Sequence, residues 1–202
     1  MGPGHRREDH GAGAGPTPPA DTVGVLLAAG GGIRFRGSTH KLLAPLGDST
    51  VAGRSLDTAR RAGFAHLVVV TGAVALELPA DVVEVTNPHW ASGLATSLQA
   101  AIAHASALGA AAVVVGLADQ PFVTVSAWRA VAASPAPIAV ATYDGVRGNP
   151  VRLGAPTWPL LPAAGDEGAR ALIRVRPELV QEVPCAGHPT DIDTTEDLAR
   201  WS

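Results

Sequence analysis

Apolar and polar positions fall in short blocks along this chain. "TVGVLLAA" (22–29) is apolar at nearly every position, the pattern of a strand buried on both faces. "STVAGRSLDTARRAG" (49–63) follows at helical spacing and predicts a helix stopped by Gly63. "HLVVVTG" (66–72) and "DVVEVTN" (81–87) predict a second and a third strand. "SGLATSLQAAIAHASALG" (92–109) predicts a long helix with Ser92 as N-cap and Gly109 past its end. "AAAVVVGLAD" (110–119) is the most hydrophobic strand and ends at an acid. A helix over 125–134 and a strand over 138–145 come next. The pattern then loosens: "GNPVRL" (148–153) reads as a turn feeding a strand. A helix near "EGARALIRV", a strand near "LVQEVPC" and a last helix from Thr195 complete the chain.

Strands alternating with helices imply an α/β fold with a mainly parallel sheet covered on both faces. Open sheets of this kind bind ligands beyond the carboxyl ends of their strands. The glycine loop after strand one, Thr71-Gly72, Asn87 and Asp119 all fall at such ends.

Composition narrows the classes. The 202 residues suffice for one domain with a full core, and 47% of them are hydrophobic. Residues 1–21 are Gly, Pro, Ala and charge, and are expected to be a disordered tail ahead of a single domain over 22–202. His5 and His10 in that tail lack metal-ligand spacing. A net charge of −3 with only 15 Lys and Arg argues against nucleic-acid binding but leaves room for a small anion. No apolar run is long enough to span a membrane and no signal-peptide core is present, so a cytoplasmic protein is expected. The single cysteine, Cys185, has no evident base, and no G-x-S-x-G elbow occurs, so covalent nucleophilic catalysis has little support.

The chemistry concentrates in "LAAGGGIRFRGSTHK" (27–41). Gly30, Gly31 and Gly32 let backbone N–H groups approach a phosphate, and Arg34, Arg36 and Lys41 add cations. The loop is neither a G-x-G-x-x-G, which needs glycine where Phe35 stands, nor a Walker A, which needs lysine at Ser38. Asp119 in "LADQP" is either a hard ligand for Mg²⁺ or a turn residue ahead of Pro121. In "DIDTTEDL" (191–198), Glu196 and Asp197 suit a helix entry capped by Thr194 or Thr195, and Asp193 is a candidate second metal ligand. Weaker candidates are Asn87, Gly93, Ser97 and Gln99, then Asp166 and Arg170 in "GDEGAR". His66 and His104 read as surface or packing residues, and Trp128, Trp158 and Trp201 as core or cover.

Together these motifs resemble the molybdopterin nucleotidyltransferase group of the NTP-transferase family. Its signature LAAG-x-S-x-R-[MF]-G-x-x-K is matched by Leu27 to Gly30, Arg34, Phe35, Gly37 and Lys41. Asn87, Trp90, Gly93, Leu94, Ser97 and Leu98 match a second motif, and "GNPV", "GDEGAR" and "DIDTTEDL" follow in order. "LADQP" is the form similar to the cytidylyltransferases; guanylyltransferase relatives more often carry "DMP". Two departures stand out. Gly32 replaces the family serine, and Arg34 to Lys41 spans seven positions instead of five.

The resemblance implies a three-layer α/β/α Rossmann-like nucleotidyltransferase fold. It also implies Mg²⁺-dependent transfer of a nucleoside monophosphate, most readily CMP from CTP, to a phosphorylated acceptor such as molybdopterin. Leu27, Ala28, Ala29 and Gly30–Gly32 would hold the nucleotide, with Thr71, Gly72, Gly93 and Ser97 beside the nucleoside. Arg34 would clamp the β/γ-phosphates, Lys41 would stabilise the α-phosphate, and Asp119 and Asp193 would bind the metal. Asn149, Asp166 and Arg170 would face the acceptor, and a molybdoenzyme would receive the finished cofactor. The alternatives are a guanylyl- or other NTP-transferase acting on a different acceptor, and a non-catalytic protein that binds nucleotide or cofactor and delivers it.

Overall fold

The structure, a computed structural model, describes residues 16–201. His5 and His10 lie outside the described residues. Of the tail expected over 1–21, residues 16–21 are placed against the domain: Pro18 is buried, and the Asp21 carbonyl accepts from the Ala111 N–H at 2.8 Å.

β1 (Thr22–Ala28) is buried at all seven positions and lies in the interior of the sheet. Its side chains alternate between two cores. Val23, Val25 and Leu27 face a layer containing α2 (Leu94–Ala107) and α4 (Ala169–Val175). Leu26 and Ala28 face a layer containing α1 (Val51–Ala62) and α3 (Val125–Ala132). An all-apolar strand is the sequence signature of a sheet covered on both sides.

β1 is flanked in parallel by β4 (His66–Thr71) and β6 (Ala112–Leu117), and β4 in turn by β5 (Val83–Thr86). A hairpin of β7 (Ile138–Tyr143) and β8 (Val146–Gly154) extends the sheet beyond β6, and β9 (Val180–Pro184) lies parallel to β7. The seven-stranded order is β5-β4-β1-β6-β8-β7-β9, with β8 alone antiparallel to its neighbours. β8 therefore starts where the parallel strands end, which brings Arg147 to Asn149 to the ligand-binding edge. A two-residue pair, β2 (Pro45–Leu46) with β3 (Ser49–Thr50), leads into α1. α5 (Thr195–Ala199) ends the fold.

Two local expectations are corrected, and the expected Thr194 cap is present. Gly93, not Ser92, is the N-cap of α2: Ser92 closes a 3-10 turn (Trp90–Ser92), and Gly93 redirects the chain with φ +105°. A side chain at Gly93 would also meet the Gly165 carbonyl at 2.5 Å, so close backbone approach fixes glycine there. The segment 148–153 is strand throughout; the turn ahead of it lies at Asp144-Gly145, both with positive φ. Thr194 caps α5, its side chain accepting from the Asp197 N–H in a reciprocal capping box, so Asp197 is a structural acid. Trp128 and Trp158 are core, while Trp201 is part-exposed over Phe122.

Candidate functional site

Directly after β1 the chain opens into the glycine loop. Gly32 takes φ +59°, and its carbonyl accepts from the Phe35 N–H at 3.0 Å, so the loop turns back on itself. Phe35 packs with the cluster of Ala44, Leu46, Val51 and Ile192, which ties the loop to the C-terminal segment. A 3-10 turn (Lys41–Leu43) follows, started by His40. The His40 ring bridges both pieces: Nδ1 accepts from the Leu42 N–H at 3.3 Å, and Nε2 donates to the Gly30 carbonyl at 3.1 Å. Sequence reading missed this residue, because a histidine three positions past a glycine turn carries no distinctive pattern.

Burial, together with the Lys41 charge, holds the His40 pKa below its usual 6.5, and the hydrogen bonds to the loop carbonyls only partly oppose this. A base with a depressed folded pKa adds stability above its unfolded pKa, and that stability is lost as pH falls through the window below about 6.5. Wild-type protein should therefore lose more thermal stability between pH 7.5 and 5.5 than His40→Gln does. Equal losses in the two proteins would contradict the bridging role.

The 3-10 turn aims the Lys41 side chain, 10% exposed, at two carboxylates. Nζ donates to Asp119 Oδ2 at 2.6 Å and to Asp193 Oδ1 at 2.8 Å. Burial alone would lower the Lys41 pKa; attraction to Asp119 and then Asp193 outweighs it and raises the value above normal. Asp119 sits in the turn after β6. Asp193 is brought in by a backbone bond from the Ile192 N–H to the Asp119 carbonyl (2.9 Å) and by the fully buried Ile192 side chain. Arg34 Nη2 donates to the remaining Asp193 oxygen at 2.7 Å, from a side chain 72% exposed. Two cations and two anions thus form a chain, Arg34–Asp193–Lys41–Asp119, at the mouth of the sheet.

Asp119 Oδ1 is buried without a hydrogen-bond partner, which rules against a mere turn role. A buried anionic oxygen with no protein donor suits a hard cation. Among the described residues no group of three or more His, Cys, Asp or Glu is placed to hold a metal alone. The donor set fits Mg²⁺ or Mn²⁺, which need only one or two carboxylates when water and substrate phosphates complete the shell.

A cleft of about 300 Å³ opens beside this chain of charges, lined by residues including Leu27 to Gly31, Lys41, Trp90, Ser97 and Asp119. Gly93 and Asp166 also line it. A second cavity of about 480 Å³ adjoins it across Leu27, Leu94 and Leu117, and holds Asn149 and Arg170. Gly32 turns the loop and Arg34 reaches Asp193 from outside; neither lines the cleft. Thr71 and Gly72 are corrected. The Thr71 hydroxyl is buried and donated to Glu84 at 2.7 Å, and a side chain at Gly72 would meet Trp90 and Ala29 at 2.8–2.9 Å. Gly72 backs Trp90, Thr71 is tied to the neighbouring strand, and neither lines the cleft. Ser97 lines the cleft and accepts from buried Asn87 Nδ2 at 3.0 Å. Gln99 is structural, donating to the Pro162 carbonyl at 3.0 Å.

Arg36 is exposed, and among the described residues it forms no ion pair. Arg36→Ala should leave nucleotide affinity within about twofold, since a solvated surface charge contributes little. A tenfold loss by titration calorimetry would place it on the phosphates.

Residues 24–183 match the MobA-like NTP transferase domain family. The chain belongs to this family of nucleotidyltransferases. It is 33% identical over 196 residues to nicotine blue oxidoreductase from Paenarthrobacter nicotinovorans, covering 88% of this chain and 95% of that one. It is 30% identical over 192 residues to purine catabolism protein PucB of Bacillus subtilis (strain 168), covering 87% and 93%. Among solved structures, a protein from Mycobacterium sp. strain JC1 superposes with a TM-score of 0.76 at 32% identity, over 90% of this chain and 94% of that one. A Mycobacterium tuberculosis H37Rv protein determined in complex with manganese gives 0.67 at 31% identity, over 89% and 97%. The α/β/α layering and mainly parallel mixed sheet expected from the sequence are those of this family. No helix among the described residues is long and apolar enough to cross a membrane.

Proposed function

We propose that this MobA-like transferase moves CMP from CTP onto a phosphorylated acceptor of the molybdopterin type, with Mg²⁺ as the metal, and releases pyrophosphate. The observation that carries the reading is the unpartnered Asp119 oxygen. It stands buried beside a glycine-rich cleft, and that cleft adjoins a second cavity large enough for an acceptor.

The chemical obstacle is charge: an anionic acceptor must approach an anionic α-phosphorus. The protein's means are positioning and electrostatic stabilisation. Gly30 and Gly31 line the cleft, where their backbone N–H groups would meet the phosphates. Arg34 is exposed and its pair with Asp193 is of the weak surface kind, so it can be released to the β/γ-phosphates at little cost. Lys41 has three donors and gives two to carboxylates, which leaves one for the α-phosphate. Asp119 and Asp193 would hold the metal, which when bound polarises phosphoryl oxygens and neutralises developing charge. Arg170 and Asn149 in the adjoining cavity, with Asp166 between the two, would receive the acceptor. Cytoplasmic work, and delivery to a molybdoenzyme, follow from this reading as proposals.

CTP with Mg²⁺ should raise the melting temperature more than GTP, ATP or UTP. A ligand at a hundred times its Kd adds about 2.7 kcal/mol, or several degrees for a domain of this size. A larger shift with GTP would move the assignment to guanylyl transfer.

A second reading has support of its own. The relative from Paenarthrobacter is named an oxidoreductase, and the larger cavity has an apolar floor that includes Leu98, Val140 and Ile173. A redox reaction on an aromatic substrate would fit such a floor. Oxidation of NADH or NADPH by this chain in the presence of an aromatic acceptor, without NTP, would favour it over nucleotidyl transfer.

A further inference from the structure

Trp90 is the tryptophan at the nucleotide cleft: Trp128 and Trp158 are buried in the two cores, and Trp201 stacks on Phe122. Trp90 is half-buried and opens the 3-10 turn Trp90–Ser92, which is held from both sides. Before the turn, buried Asn87 accepts from the His89 N–H at 2.9 Å. Its amide nitrogen donates to the Thr96 hydroxyl at 2.9 Å and the Ser97 hydroxyl at 3.0 Å. The Thr96 hydroxyl reaches back to the His89 carbonyl at 3.0 Å. At the end of the turn, the Ser92 carbonyl accepts from the Gly165 N–H at 3.1 Å.

The indole fills space that two glycines leave. A side chain at Gly72 would meet Trp90 Cβ at 2.8 Å, and one at Gly31 would meet the ring edge at Cζ3 (2.8 Å) and Cη2 (3.2 Å). Ile33 Cγ2 comes within 3.7 Å of that same point beside Gly31. Trp90 and Ile33 therefore stand together, and both line the cleft. Ile33 is 93% exposed. A lone exposed isoleucine needs no explanation, but beside an indole in a cleft it makes a continuous apolar surface. The rest of this wall is polar: Lys41, Asp119 and the glycine backbone. Of the parts of a nucleotide, the triphosphate suits the lysine and the glycines, and the ribose carries hydroxyls. The base alone presents an apolar face.

We propose that Trp90 and Ile33 form the ledge on which the face of the nucleobase rests. The proposal rests on the transferase reading and names side chains that hold the base. Stacking of a base on an aromatic side chain contributes about tenfold or more in affinity. A ring fixed in place by its turn loses little freedom when the ligand arrives.

The test titrates the full chain, with Mg²⁺, by calorimetry against two probes. One is its tightest-binding NTP, expected to be CTP; the other is ribose 5-triphosphate, which keeps the sugar and phosphates but has no base. Trp90→Ala should weaken the NTP at least about tenfold and ribose 5-triphosphate less than about twofold. Trp90→Phe keeps an aromatic face and should bind the NTP within about threefold of wild type. Ile33→Ser alters a side chain that the fold leaves in solvent, and should weaken the NTP by about threefold while sparing the base-free probe. The NTP should also quench the fluorescence of wild type but not of Trp90→Phe. Equal losses for both probes in Trp90→Ala would show that the indole only props the glycine loop at Gly31, and would overturn the proposal. Unchanged NTP affinity in Trp90→Ala, or quenching that persists in Trp90→Phe, also overturns it. If wild type binds none of CTP, GTP, ATP and UTP, the transferase reading itself falls, and this proposal with it.

Discussion

Asp119→Ala is expected to lower kcat/KM for metal-dependent nucleotidyl transfer by about a thousandfold or more while the protein stays folded. The size follows from what the side chain holds. Among the described residues Asp119 offers the one buried carboxylate oxygen with no protein donor, and a metal held there would supply several kcal/mol of charge stabilisation at the phosphoryl group. The fold tolerates the loss because Lys41 keeps its bond to Asp193 at 2.8 Å. Losing one of two partners is worth about 1–2 kcal/mol, a drop of several degrees in Tm. Asp119→Asn should behave alike in activity, since the amide keeps the shape but not the anionic charge. Wild-type rates in either variant, measured by pyrophosphate release, would remove Asp119 from the metal.

Lys41→Met carries the second large effect, and it has two parts of opposite sign. The rate should fall by roughly 3 kcal/mol of transition-state stabilisation, about 10²-fold in kcat, as when a preorganised donor is lost at a developing charge. Metal affinity should rise, because the ammonium that bridges Asp119 and Asp193 competes with any cation for those oxygens. Attraction to both acids raises the Lys41 pKa, so the ion pairs are intact below the unfolded value near 10.4 and weaken only as pH climbs through the higher folded value. The rate loss should therefore be flat from pH 6 to 9. Manganese titration followed by electron paramagnetic resonance reads the affinity, and stopped-flow rates read the chemistry. A variant that loses both metal binding and rate would show that Lys41 organises the acids instead of competing with a cation.

The layering of the fold is legible in the sequence because buried parallel strands are apolar at nearly every position, as in β1 and β6. The start of α2 is not, because Ser92 looks like a cap and only the fold shows Gly93 pressed on the Gly165 carbonyl. The glycine loop, Lys41 and Asp119 stand out by type and by their places at strand ends. Their meeting with Asp193, more than 70 residues past Asp119, depends on how the C-terminal segment packs through Ile192. Thr71 looks like a cleft residue from its position at a strand end, yet Glu84 on the neighbouring strand takes its hydroxyl. His40 carries no periodic or motif signal of its own, and its bonds to Leu42 and Gly30 appear only once the loop folds back. Gln120 stands out as part of "LADQP", but its partners Asn149 and Asp191 are distant in sequence.

Transfer of a nucleotide to an acceptor is measured directly with labelled substrate. CTP carrying ³²P at the α-position, incubated with the protein, Mg²⁺ and molybdopterin, should place label on the acceptor in step with pyrophosphate release, and Asp119→Ala should do neither. Absence of labelled acceptor and of pyrophosphate with CTP, GTP, ATP and UTP alike would contradict it.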